Sequence, residues 1–239
     1  MPLYRDEAVV LRTWKLGEAD RIVSLHTLGH GKVRAVAKGV RRTRSKFGAR
    51  LEPACHVSVQ LYEGRSELQT LAQAVTIDRF VGLRSDPARF AQASAMLEAV
   101  EQLASEAESD PQRHVMLVRA LGTLESLQSG LIVAGFFLKL LMLEGVQPEL
   151  HSCVACGADG PFEALDVAAG GVLCRRCRQG RSISQDALEL LRQILGGQLG
   201  TALRRSEDDA AGEVTELATA AIEAHLERRL RSMAVLERS

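Results

Sequence analysis

Over the first 80 residues, apolar and polar positions alternate in short stretches. Val57, Val59 and Leu61 alternate with His56, Ser58, Gln60 and Tyr62, the period-2 pattern of a strand buried on one side. Residues 9–11, 21–28, 32–38 and 68–77 also read as strands, many positions being β-branched. Gly17, Gly29 and Gly31, the stretch 39–53 and Gly64 separate them, as turn residues do. Five short strands with such close turns suggest a small barrel or sandwich, and a five-strand oligonucleotide-binding (OB) barrel fits the count.

Beyond Asp86-Pro87 the period changes to that of a helix. Phe90, Ala93, Met96-Leu97, Val100 and Leu103-Ala104 recur at spacings of three and four, one apolar stripe. Asp110-Pro111 predicts a second helix, with a capping Asp and Pro at the first helical position. Residues 131–144 are apolar on most faces and predict a central helix that Gly145 and Pro148 end. Ser184 caps a further helix reaching residue 195, and 213–231 predicts a last one, with Arg228, Arg229 and Arg231 in its final turn. Residues 204–212 read as a linker. The longest apolar run, 131–143, is interrupted by Lys139 and falls short of the roughly 20 residues that span a bilayer. Residues 1–11 carry Arg5, Asp6 and Glu7 and hold no apolar leader, so the expectation is a cytoplasmic chain.

Composition adds two points. The apolar fraction of 46% supplies a core, but aromatics are only 4%, so that core is built from Leu, Val, Ala and Ile. Net charge is zero, yet residues 1–80 hold 14 Lys and Arg against 8 Asp and Glu, leaving 16 against 22 in the remainder. A basic module joined to a mildly acidic one accounts for that asymmetry.

Cys153-x2-Cys156 and Cys174-x2-Cys177 are separated by 17 residues, a spacing usual for four-cysteine zinc sites. Two thiolates three positions apart chelate from one tight turn, and two such turns complete a tetrahedron. Arg175 and Arg176, between the second pair, help lower thiol pKa values. Disulfides or a redox pair are the alternatives, the first disfavoured in a cytoplasmic chain. With all four positions cysteine, the zinc would be structural. His151 reads as a surface residue, and Cys55 as a small core residue.

Residues 38–50 hold six basic residues and no acid: Lys38, Arg41, Arg42, Arg44, Lys46 and Arg50. Lys32 and Arg34 extend the patch onto one face of the preceding strand. Six like charges repel one another and favour a polyanion, so these eight residues are the candidate nucleic-acid-binding set. Phe47 could stack on a base, as aromatics in single-strand sites do, or anchor the loop. Enzyme chemistry fares badly. Gly31-Lys32 lacks the upstream glycine of a phosphate loop, and Asp6-Glu7 and Glu18/Asp20 read as surface charges, Asp6 and Glu7 pointing to opposite strand faces.

Asp20-Arg21-Ile22-Val23, then Gly31-Lys32-Val33-Arg34-Ala35-Val36-Ala37-Lys38-Gly39-Val40-Arg41-Arg42 and Lys46-Phe47-Gly48-Ala49-Arg50-Leu51-Glu52-Pro53, resemble the N-terminal domain of the bacterial RecO DNA repair family. Phe137-Leu138-Lys139-Leu140-Leu141 through Gly145, and Cys153-Val154-Ala155-Cys156-Gly157, resemble that family's helical core entering its zinc motif. The resemblance implies an α+β multidomain chain: an OB-fold barrel over 1–80, an α-helical domain over 81–239, and a zinc module inserted at 151–182. It implies a non-enzymatic recombination mediator that binds single- and double-stranded DNA and anneals complementary strands. The implied partners are RecR, single-strand DNA-binding protein (SSB) and, indirectly, RecA on gapped DNA in the RecF pathway, at the bacterial nucleoid. A zinc-ribbon RNA-binding or transcription-associated protein is the alternative, and a scaffold that recruits RecR through protein contacts alone is a third reading.

Overall fold

In the computed structural model, which describes residues 2–43, 45–64, 67–167, 169–205 and 208–233, the period-2 segments become five strands. They are β1 (Leu3–Leu16), β2 (Asp20–Thr27), β3 (Gly31–Ala37), β4 (His56–Tyr62) and β5 (Leu68–Asp78). The strands close a barrel in the order β1-β2-β3-β5-β4, with β3 and β5 the one parallel pair. A register shift between Val10 and Arg12 lets the long β1 serve both β2 and β4, as a bulge bends a strand.

Alternation sets the inside of the barrel. Ala8, Val10, Val23, Leu25, Val33, Ala35, Val57, Val59 and Leu61 fill it, joined by Cys55. Phe47 is only 1% exposed and packs in the same core. It is therefore the anchor of its loop and is not placed to stack on a base. The opposite faces of β1 and β2 are buried as well: Val9, Ser24 and His26 are inaccessible. Three helices follow the barrel and belong to the same compact unit, which comprises Met1–Leu127 with Leu230–Ser239. They are α1 (Val81–Ser85), α2 (Pro87–Leu103) and α3 (Pro111–Ser126). Asp86 caps α2 through the amides of Ala88 and Arg89, and Asp110 caps α3 through that of Arg113, each cap worth about 1 kcal/mol.

Gly31 ties this unit together. Its φ is +63°, and a Cβ there would sit 1.9 Å from the Glu108 carbonyl oxygen. Only glycine lets the chain after α2 cross the start of β3, where Lys32 N donates to Ser105 O and Ala107 N to Lys32 O.

The second unit, Gln128–Arg229, is built on α4 (Leu131–Leu143), whose residues 131–138 are all buried. With α5 (Gln185–Gln193), α6 (Leu199–Ala202) and α7 (Asp209–His225) it forms a helical group. A small sheet in the order β7-β6-β8 joins β6 (Phe162–Asp166), β7 (Gly171–Cys174) and β8 (Arg181–Ser182). Two expectations need correction here. The linker read at 204–212 already holds the start of α7, because Asp208 caps it through Ala211 N. Arg228, Arg229 and Arg231 do not lie in the final turn of α7. That helix ends at His225 and the chain reverses at Glu227, φ +53°. No helix among the described residues is long and apolar enough to cross a membrane.

Candidate nucleic-acid interface and metal centre

Strand register fixes which side chains stand on the outer face of the barrel. Arg12 pairs with Ser24, which pairs with Arg34, forming one cross-strand row. Trp14 pairs with Ile22, and Ile22 with Val36, forming the next. Lys32 and Arg34 do share one face, as their spacing predicts, but both are occupied. Lys32 Nζ donates to the Glu101 carbonyl oxygen at 3.1 Å. Arg34 meets Glu106 at 2.9 Å and Glu67 at 3.1 Å. Ser24 Oγ donates to Glu101 Oε2 at 2.5 Å. Burial pushes the Glu101 carboxyl above its usual range, against the Ser24 bond and the pull of Lys32, Arg12 and Arg34.

The loop after β3 is held differently. Gly39 N donates to Asp20 Oδ1 at 2.7 Å and Arg41 N to Ala19 O at 3.0 Å, which pins its first half beside the β1–β2 turn. Lys38, Arg41, Arg42, Lys46 and Arg50 are all exposed. Arg44 lies outside the described residues. The guanidinium of Arg41 donates to the carbonyls of Gly17 and Glu18, Lys46 Nζ to Ala72 O, and Arg50 to the carbonyls of Lys46 and Phe47. A carbonyl fixes the direction of a cation without cancelling its charge, so in these bonds the loop keeps its positive field. Arg34, facing two carboxylates, does not.

Sequence reading passed over Trp14. It is half-buried on β1, and the Arg12 guanidinium lies 5.1 Å from its ring centroid, a cation–π contact. The available signal was an Arg two positions before the only Trp of the chain, on one face of a strand. The Asp6 carboxylate, read as a surface charge, is only 7% exposed. It accepts from Gly29 N and contacts His30 Nδ1 at 2.6 Å, closing the β2–β3 turn from β1.

In the second unit, the four cysteines come together with their sulfurs within 4.8 Å of one another. Gly157 N closes the first turn onto Cys153 O at 2.7 Å, and Cys177 N the second onto Cys174 O at 3.0 Å. Cys156 Sγ lies 3.7 Å from Cys174 Sγ, and none of the four is in a disulfide. The Cys174 amide, donating at 3.4 Å, leads the effects that bring the Cys153 thiol down to about 6. Cys177 is pushed up to about 12, chiefly by its contacts with Cys156 and Cys174. Arg175 and Arg176 side chains are not among the leading causes. Backbone amides, chiefly that of Cys177, lower Cys174. This thiol set can hold a metal ion. His151 is exposed and outside it.

Residues 1–80 match the family described as Recombination protein O N terminal, and residues 84–234 match Recombination protein O C terminal. The chain belongs to the RecO family. DNA repair protein RecO of Streptomyces coelicolor is 44% identical over the full length of both chains, and those of Streptomyces griseus and Streptomyces avermitilis are 43% identical over the same span. The five-strand barrel lies within the N-terminal match, and the cysteine cluster within the C-terminal one, of this family of DNA repair proteins.

Proposed function

We propose that this RecO-family chain is a non-enzymatic recombination mediator that binds and anneals single-stranded DNA through its basic loop. With RecR it would help to load RecA onto gaps coated by SSB, at the nucleoid in the cytoplasm. The observation that carries the DNA assignment is the loop itself. Lys38, Arg41, Arg42, Lys46 and Arg50 are exposed, and the partners of Arg41, Lys46 and Arg50 are carbonyl oxygens, so phosphates meet an uncancelled charge. Lys38, Arg41, Arg42, Arg44, Lys46 and Arg50 are the proposed first contacts. Lys32 and Arg34 would join only when their present partners give way. Neutralised phosphates let two strands approach until complementary bases meet.

Single-strand affinity should fall with salt at a log–log slope of about −0.7 per phosphate neutralised. Changing Arg41, Arg42 and Arg44 together to Ala should flatten the slope by roughly two. An unchanged slope would remove the loop from the interface and favour the scaffold reading.

The ion for the cysteine cluster is proposed to be structural zinc, one per chain. The 3.7 Å between Cys156 and Cys174 sulfurs suits the edge of about 3.8 Å of a tetrahedron with Zn–S bonds of about 2.3 Å. Metal analysis of the purified chain tests it, and free thiols without zinc would overturn it.

A further inference from the structure

The β1 register places Val9 opposite His26 on β2 and opposite His56 on β4. All three point to the outer side of the barrel, and Glu7, two residues before Val9, points there too. His114 on α3 closes over this side: its ring centroid lies 5.9 Å from that of His26 and 5.6 Å from that of His56. We propose that Glu7, His56 and His114 form a second metal site, distinct from the four cysteines, that takes a zinc-class transition-metal ion.

Three observations carry it. The ligand atoms of the three residues lie within 4.8 Å of one another, and Glu7 Oε2 is 3.6 Å from His56 Nε2. That separation is near the edge of roughly 3.4 Å of a tetrahedron with bonds of about 2.05 Å. His56 is 7% and His114 2% exposed, and the Nε2 atoms of both lack a hydrogen-bond partner among the described residues. Leaving a buried polar atom unsatisfied is costly, and a cation bound by both nitrogens removes that cost.

The tautomer is also set. His114 Nδ1 lies 3.1 Å from the His26 carbonyl oxygen, which can only accept. Nδ1 therefore carries the hydrogen, and Nε2 presents a lone pair to the site. This is the outer-shell bond that orients histidine ligands in metal proteins. Two imidazoles and one carboxylate suit zinc and its neighbours, whereas calcium and magnesium want oxygen ligands. Three protein ligands leave a fourth position open on the side of Glu7, whose side chain is 52% exposed. The ion would join β1, β4 and α3, fixing the helix to the barrel. The competing arrangement is a metal-free His56–Glu7 ion pair.

The test is zinc titration of the purified full-length chain, with bound metal counted per chain. The parent should bind one ion more than either Glu7→Gln or His114→Gln, whatever the occupancy of the cysteine cluster. Glu7→Gln should weaken the additional site at least about tenfold, since even outer-shell losses cost 10–100-fold. Glu7 is exposed, so this variant keeps the question answerable if His114→Gln fails to fold. Equal stoichiometry and equal affinity in parent and Glu7→Gln would leave the ion pair as the explanation and overturn the site.

Discussion

Arg34 on β3 is held 2.9 Å from Glu106 in the segment between α2 and α3. Gly31 makes this contact possible, because any side chain there would push that segment off the strand. A cation that reads from the sequence as an extension of the DNA patch is thereby paired within the protein.

Releasing Arg34 should therefore change DNA binding. Glu106→Gln combined with Glu67→Gln should steepen the salt dependence of single-strand binding by up to about 0.7, one further phosphate contact. Stability should move by less than about 1 kcal/mol, since both partners are exposed. An identical slope in the double variant would show that Arg34 does not reach the strand.

Trp14 should contribute to single strands and little to duplex. With Ile22 and Val36 beside it on the barrel face, it offers a ring on which an unpaired base can stack. Trp14→Ala should cost about 1–3 kcal/mol in single-strand affinity with no change of salt slope. Equal losses for single and double strands would assign the effect to the fold.

Phe47 should behave as a core residue. Phe47→Ala should lower stability by about 3–5 kcal/mol. Denaturant titration measures this, and at temperatures where the variant is folded its salt slope should match the parent's. A stable variant with weakened single-strand binding would return Phe47 to the interface.

Glu101 should make stability depend on pH in a recognisable direction. Its carboxyl is held above the ordinary 4.5 by burial, so the folded chain binds that proton more tightly than the unfolded chain. The stabilising contribution is therefore complete below about 4.5 and is lost as pH rises through the folded value. Glu101→Gln cannot titrate but can still accept the Ser24 hydrogen bond. Relative to the parent it should gain stability as pH rises from about 4 to about 8, a difference that denaturation midpoints at several pH values report. Parallel curves would mean that the carboxyl is not perturbed.

The cysteine module should depend on its ligands. Cys153→Ser or Cys174→Ser should release metal and lower stability or solubility. Single-strand binding should persist, since the proposed contacts lie in the barrel unit. Loss of DNA binding together with the metal would relocate the interface.

Local order determined what could be read directly. The alternation Val57, Val59, Leu61 fixes an inward face whatever the strand pairs with. Asp86-Pro87 and Asp110-Pro111 begin helices through bonds to amides two or three residues away. Two Cys-x2-Cys turns are complete within a few residues each, and the basic loop declares its charge by composition. Tertiary structure decided what depends on partners far along the chain. Whether Phe47 lies at the surface or in the core, whether Arg34 stands free or is paired with Glu106, and whether Asp6 is solvated or bonded to His30 are settled by strand register and by the path of residues 104–108. His26, His56 and His114 are 30 and 58 residues apart in sequence, and no spacing connects them. A barrel strand pairs on both edges, so one position, Val9, brings two histidines together, and the fold of α3 supplies the third.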